Sequence, residues 1–154
     1  AAGGPHGIQP IGLGARDTLR LEGRLSLYGN DIDETTNPLE AGLGWIVKLD
    51  KPRDFVGKKA LQAIQAAGLS RKLVGLEMRG RGIARHGYPI VDEGGKHVGI
   101  VTSGSPAPSL EKNIALAYVP AALSAVGTKI GVEIRGQVIE AEVVRTPFYK
   151  RSKK

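Results

Sequence analysis

The chain has 154 residues, the length of one ordinary domain or two very small ones, and its 41% hydrophobic and 24% charged content is typical of a globular protein. It has no cysteine, which excludes disulfides, thiolate catalysis and cysteine-ligated metals, and no apolar run of membrane-spanning length. The net charge is +7; residues 1–68 are balanced, with eight basic and eight acidic side chains, whereas residues 69–154 hold fourteen basic and seven acidic ones.

The first predicted element is a helix over about residues 15–28. Leu21, Leu25 and Tyr28 recur at i, i+4 and i+7, which is the spacing of one apolar helical stripe. Gly29-Asn30 is a typical helix end.

Arg16 stands in the first turn of this helix, after Gly12 and Gly14. The N-terminal end of a helix dipole disfavours a cation, so we interpret Arg16 as held for a carboxylate of a ligand or partner. The alternative is an ordinary solvated or paired arginine, as Arg20 could be with Asp17.

A polar stretch follows, and it carries Asp31, Asp33 and Glu34 close together. The run does not complete a calcium-loop pattern, so we expect a solvated acidic turn and no metal site. Residues 43–47 then read as a short strand with the only tryptophan, Trp45, either in the core or lining a ligand channel. Asp54 is the predicted cap of a second helix that runs to about residue 67, with Gly68 as its stop.

After residue 68 the pattern changes to short β-branched or alternating runs separated by turns. Five strands are predicted, over residues 73–78, 98–102, 114–119, 129–134 and 138–144. Such spacing implies an antiparallel barrel or compact sandwich. The predicted class is therefore α+β, with a helix and strand segment at 1–68 and a β domain at 69–154.

Few residues suggest catalytic chemistry. His6, His86 and His97 have no ligand spacing to one another, which argues against a zinc site. Ser103 lacks the strand-to-helix turn expected of a nucleophile, and the polar run 102–105 is interpreted as a tight turn. The candidate residues therefore look like binders, and we predict no catalytic residue in this chain.

Four motifs in order carry a resemblance to a known family. They are G-L-G-A-R-D-T-L-R-L-E-G-R-L-S-L-Y-G-N at 12–30, its continuation to Trp45, D-F-V-G-K-K-A-L at 54–61 and V-T-S-G-S-P-A-P-S-L at 101–110. Together they resemble the aminomethyltransferase family, the T-protein of the glycine cleavage system. The resemblance covers nearly the whole chain and corresponds to the C-terminal portion of such proteins, so the chain looks like a fragment whose N-terminal half is missing.

The resemblance implies an activity and its partners. Family members take an aminomethyl group from the lipoyl arm of a carrier protein (H-protein), release ammonia and pass the one-carbon unit to tetrahydrofolate. Their catalytic aspartate and a folate-contacting glutamate lie in the N-terminal half. The resemblance also implies a C-terminal β-barrel beside the folate-binding domains. The expected location is cytoplasmic, or mitochondrial in a eukaryote.

The resemblance also assigns folate-binding residues. Arg16 matches the folate-contacting arginine of the family motif. A residue of the C-terminal tail also reaches the ligand in family members, and it falls near Lys153, with Arg151 as the neighbouring choice. Tyr28 and Trp45 are candidate walls of the folate channel, or core residues.

Three alternatives stay open at this point. The C-terminal parts of dimethylglycine- and sarcosine-demethylating enzymes share the folate-binding architecture. A basic β-barrel could bind nucleic acid, but an aromatic content of only 5% offers few stacking platforms, so we expect no such partner. A structural module that completes another chain is the third.

Overall fold

The computed structural model describes residues 2–151. Within that range two α-helices precede six β-strands. The helices are α1 (Leu13–Glu22) and α2 (Lys58–Ala67); the strands are β1 (Arg71–Met78), β2 (Pro89–Val91), β3 (His97–Ala107), β4 (Lys112–Pro120), β5 (Lys129–Ile134) and β6 (Gln137–Val144). Neither helix is long and apolar enough to cross a membrane. The predicted α+β class is confirmed, whereas the division at residues 68 and 69 stays a prediction.

The six strands close into an antiparallel barrel in the order β1-β4-β3-β2-β5-β6. All five predicted strands are present, and β3 extends well beyond its predicted end at residue 102. The prediction missed β2, which has only three residues and begins with a proline. So short a run cannot show a convincing alternation, yet β2 closes the barrel by pairing with both β3 and β5.

The strand β4 is buried on both of its faces, which gives the fold two hydrophobic clusters. Ala115, Ala117 and Val119 point into the barrel interior, together with Leu76 and Val132. The alternate residues of β4 point outward, because successive side chains of a strand face opposite sides of the sheet. They join a second cluster, which consists of Leu21, Leu73, Ala107, Ile114, Leu116 and Tyr118.

Helix α1 covers this outer face of the barrel. Leu21 is the residue of α1 that enters the outer cluster, and Phe148 of the C-terminal tail packs against the same cluster. The tail is also tied to the helix end, since the Tyr149 N–H donates to the Glu22 carbonyl at 3.0 Å. The N-terminal segment and the tail therefore meet on one side of the barrel.

Two glycines of β3 allow close approaches of the backbone that shape the barrel. A Cβ at Gly99 would collide with the Tyr118 carbonyl, and a Cβ at Gly104 with the Ala84 carbonyl. Any larger residue would force these segments apart.

The predicted end of the first helix is wrong. Helix α1 ends at Glu22 with Gly23 as its cap, and Arg24 then takes a left-handed conformation with φ of 58°. The Arg24 guanidinium compensates by donating to the carbonyls of Ala41 and Leu73 at 3.0 and 3.2 Å. Because the helix stops early, the predicted apolar stripe does not form, and Leu25 and Tyr28 are 64% and 70% exposed.

Two further local predictions before the barrel are wrong. Residues 43–47 form a short 3-10 helix at Gly44–Ile46 instead of a strand, and Trp45 is 73% exposed, so it is not a core residue. Asp54 does not cap α2, because Gly57 with φ of 88° precedes the helix at its first residue, Lys58. The Asp54 carboxylate instead accepts from the neighbouring Phe55 N–H, at 2.9 Å.

Candidate functional site

Arg16 lies in the N-terminal half of α1 with its side chain exposed. Within residues 2–151 its guanidinium makes no ion pair or hydrogen bond, unlike Arg20 on the next turn and Arg24 just after the end of the helix. An arginine keeps its charge and presents five N–H donors in a rigid fork. Arg16 therefore offers an unused fork to an anion or an acceptor-rich ring.

Arg20, one helical turn after Arg16, is fully engaged. Its guanidinium donates to Asp17 at 2.6 Å, to Asp31 at 2.7 Å and to the Ser103 hydroxyl at 3.0 Å. The predicted pair with Asp17 is thus confirmed, and it is part of a larger network. The Arg20 side chain is only 11% exposed, so these acceptors replace the water that it gives up.

Asp31 is the centre of that network and is completely buried. One carboxylate oxygen accepts from the hydroxyls of Thr102 and Ser103 at 2.6 and 2.7 Å. The other accepts from Arg20 and from the Leu27 N–H at 2.9 Å. The carboxylate therefore links helix α1, the loop that follows it and strand β3.

A β-bulge explains how Thr102 and Ser103 reach the same carboxylate. The register between β3 and β4 shifts here, with Val101 opposite Ala117 and Ser103 opposite Leu116, so that Thr102 is the extra residue. Such an insertion breaks the strict alternation of side chains and can aim two consecutive ones at one group. The interpretation of residues 102–105 as a tight turn is wrong, since they lie within β3.

A second polar contact fixes the loop after α1. Glu40 accepts two hydrogen bonds from Arg71, at 3.0 and 3.1 Å, and Arg71 stacks over the Tyr118 ring at 4.6 Å. Burial raises the pKa of Tyr118 to about 12. Burial also acts to raise the pKa of Glu40, but the hydrogen bonds from Arg71 and from the Asn37 N–H outweigh it, so that this pKa is lowered.

The lowered pKa of Glu40 predicts how stability changes with pH. Between the folded-state pKa and the ordinary value of 4.5, the unfolded chain binds a proton more readily than the folded one, so the free energy of unfolding falls as the pH drops through this window. We expect Glu40→Gln to lose less stability than wild type between about pH 6 and about pH 3 in urea titrations. Glu93→Gln, at an exposed turn glutamate, is the control. Equal losses in the Glu40 variant and wild type would contradict the expectation.

The other predicted site residues that the structure describes are exposed, and none makes a hydrogen bond or ion pair with Arg16. Tyr28 is exposed and its hydroxyl donates to Glu34 at 3.1 Å. Trp45 and Arg151 are exposed, and no hydrogen bond or ion pair among residues 2–151 joins them to Arg16 or Tyr28. Arg151 follows the tail segment that is tied to α1 through Tyr149, whereas Lys153 lies outside the described residues.

The three acidic residues at 31, 33 and 34 have different hydrogen-bond partners. Asp31 is buried against Arg20, Asp33 accepts from Thr35, and Glu34 accepts from Tyr28. The expectation of a solvated run is wrong for Asp31. The part of the chain that the structure describes holds no group of three histidine or acidic side chains placed to bind a metal ion.

A cleft with a volume of about 680 Å³ lies in the segment that directly follows Trp45 in the chain. It is lined by Ile46, Val47, Lys48, Lys51, Arg53, Asp54 and Phe55. Of the predicted site residues within 2–151, none lines it.

Sequence reasoning missed the network around Asp31. Asp31 and Ser103 are 72 residues apart, and no local pattern joins them. Thr102 and Ser103 gave no signal in the sequence, because the Gly-Ser-Pro run after them favours a turn and hides the continuation of β3.

Comparison with known proteins gives a consistent result. The sequence model described as "Glycine cleavage T-protein C-terminal barrel domain" matches residues 71–150, and the model described as "GCVT N-terminal domain" matches residues 1–51. Two similar curated proteins are both named aminomethyltransferase. The one from Symbiobacterium thermophilum is 59% identical over 97% of this chain and 40% of its own length; that from Synechococcus sp. (strain WH7803) is 58% identical over 94% and 39%.

A solved structure supports the same relationship. The glycine cleavage system aminomethyltransferase T from Bartonella henselae superposes with a TM-score of 0.84 at 40% identity, over 90% of this chain and 39% of that one. The chain thus spans about 40% of the length of the curated relatives it matches. Since the barrel model alone covers more than half of the chain, from 71 to 150, the chain belongs to the aminomethyltransferase family of glycine cleavage T-proteins.

Proposed function

We propose that this chain supplies part of the tetrahydrofolate site of an aminomethyltransferase of the glycine cleavage system. The observation that carries the proposal is the exposed guanidinium of Arg16, which has no partner within residues 2–151 and stands on a helix docked against the family's barrel. In the reaction, an aminomethyl group carried on a lipoyl arm loses ammonia and its carbon passes to tetrahydrofolate.

The chemistry of Arg16 fits this substrate. Tetrahydrofolate carries glutamate carboxylates and a ring rich in hydrogen-bond acceptors and donors. A guanidinium fork can hold a carboxylate through two parallel hydrogen bonds, which adds orientation as well as affinity. Holding in place the folate nitrogens that receive the one-carbon unit lowers the entropic part of the transfer barrier.

The C-terminal tail contacts the same helix, at its C-terminal end. Phe148 and Tyr149 hold the tail against α1, and Arg151 lies two residues after Tyr149. We assign Arg151 and Lys153 as further cationic groups for the folate, and Tyr28 and Trp45 as exposed aromatic surface for its ring system or for the surrounding protein. Arg16 remains the residue on which the proposal depends.

The catalytic groups belong, in this proposal, to the part of the longer relatives that this chain does not span. The carrier protein with its lipoyl arm and that further polypeptide are the proposed partners. Several apolar side chains of the N-terminal segment are exposed and could pack against such a polypeptide: Ile8, Ile11, Leu13, Leu19 and Leu25.

Calorimetric titration with tetrahydrofolate tests the proposal, using the longest polypeptide that the gene encodes. We expect Arg16→Ala to raise the Kd about tenfold to a hundredfold, since hydrogen bonds to charged groups contribute about 1.5–3 kcal/mol. Arg81→Ala removes an exposed arginine from the loop between β1 and β2 and is expected to leave the Kd unchanged. An unaltered Kd for a folded Arg16→Ala variant would refute the assignment.

A further inference from the structure

We infer that Asp31, acting through Arg20, is a positioning residue that sets the direction in which Arg16 points. The inference rests on the proposed function, because it concerns the arginine assigned to tetrahydrofolate. Its basis is the continuous set of hydrogen bonds that runs from strand β3 to Asp31 and from Asp31 to the helix that carries Arg16.

The N-terminal half of α1 has little apolar anchoring. The helix has ten residues, and its only fully buried ones, Leu21 and Glu22, lie at its C-terminal end. Leu13 and Leu19 are largely exposed. Between this buried end and Arg16, the Arg20 side chain contacts the barrel by donating a hydrogen bond to the Ser103 hydroxyl. The orientation of the first turns therefore depends on how Arg20 is held.

The contacts of Arg20 are directional. Its planar fork meets carboxylate oxygens of Asp17 and Asp31 and the hydroxyl of Ser103, all within 3.0 Å. Three acceptors around one rigid plane fix both the position and the rotation of the guanidinium. A hydrophobic contact of similar burial could give comparable stability without this control of rotation.

Asp31 is itself held on both sides, so it cannot follow a moving helix. The hydroxyls of Thr102 and Ser103 hold one oxygen from the barrel side, and the Leu27 N–H holds the other from the loop. The Tyr118 hydroxyl also donates to the Asp31 carbonyl at 3.1 Å. Arg16 lies four residues before Arg20 on the same side of α1. Because Asp31 fixes Arg20, and Arg20 fixes the orientation of the helix, Asp31 also determines where Arg16 lies.

A double-mutant cycle on the Kd for tetrahydrofolate tests the inference, again in the longest encoded polypeptide. Asp31→Asn keeps the size of the side chain but removes its charge, and we expect it to raise the Kd about tenfold. In the Arg16→Ala background the same change is expected to alter the Kd less than about twofold, because the group that it positions is gone. If Asp31→Asn instead disturbed the rest of the site, it would still raise the Kd in the Arg16→Ala background.

Two further variants keep the test decisive. Glu40→Gln weakens the partly exposed pair of Glu40 with Arg71, which holds the neighbouring loop but no residue of α1, and it is expected to leave the Kd unchanged. If Asp31→Asn does not fold, Ser103→Ala removes one contact from both Arg20 and Asp31, and its smaller increase in Kd is also expected to vanish with Arg16→Ala.

The outcomes separate the two proposals. If Arg16→Ala weakens binding but the Asp31 or Ser103 variant does not, or if their effects add fully, the positioning role is overturned and the folate contact stands. If Arg16→Ala leaves the Kd unchanged, both are overturned.

Discussion

Replacing Leu76 by alanine is expected to lower the free energy of unfolding by about 2–5 kcal/mol. Leu76 lies on β1, is completely buried and belongs to the cluster that fills the barrel. Removing three carbon atoms there loses their transfer free energy and leaves a cavity that a closed barrel can fill only in part. Urea denaturation followed by circular dichroism measures the effect.

Val126→Ala is the matched control for Leu76→Ala. Val126 is an aliphatic residue of the loop between β4 and β5 with 59% of its surface exposed. Its truncation is expected to change the free energy of unfolding by less than about 0.5 kcal/mol. Equal effects at the two positions would contradict the assignment of Leu76 to a packed barrel interior.

Asp31→Ala is expected to lower the free energy of unfolding by about 3–5 kcal/mol, the range for removing one partner of a buried ion pair. The change deprives Arg20 of one of its two carboxylates. It also leaves the Leu27 N–H and the Ser103 hydroxyl without their acceptor, while the Thr102 hydroxyl is left with the Leu116 carbonyl at 3.2 Å. Each buried donor that loses its partner adds its own desolvation cost.

The loss at Asp31 is measured against Asp50→Ala. Asp50 is exposed, so its removal is expected to change stability by less than about 0.5 kcal/mol. Thermal and urea unfolding of the two variants provide the comparison. A loss at Asp31 as small as that at Asp50 would show that the network contributes little to holding α1 on the barrel.

The barrel was largely predictable because its strands carry local signals. β1, β5 and β6 appear in the sequence as apolar, β-branched runs that end at turns, and they are present with nearly the predicted bounds. Burial on both faces of β4 gives it a nearly continuous apolar run, which also identifies a strand. β2 was missed because three residues are too few for any period to show.

The segment before the barrel was harder to predict because contacts distant in sequence decide its structure. The pattern of Leu21, Leu25 and Tyr28 favours a longer helix, yet the chain leaves the helix at Gly23. Arg24 then adopts its left-handed conformation where the carbonyls of Ala41 and Leu73 can accept from its side chain. No window of sequence around residue 24 contains those partners.

In the candidate site, too, a local motif was predictable and contacts distant in sequence were not. Arg16 was identified from a motif, and the structure places it on a helix with an exposed side chain. The groups that hold this helix, Asp31, Thr102 and Ser103, come together only through the docking of α1 on β3 and the bulge in that strand. Their roles therefore follow from tertiary structure alone.

Steady-state kinetics of methylene-tetrahydrofolate formation test the central claim most directly. The longest encoded polypeptide, with aminomethyl-lipoyl carrier protein as donor, is compared with its Arg16→Ala variant over a range of tetrahydrofolate concentrations. If Arg16 is a folate-binding group, the variant raises the KM for tetrahydrofolate more than it lowers kcat. An unchanged KM with a reduced kcat, or a wild-type rate that does not depend on tetrahydrofolate, would contradict the account.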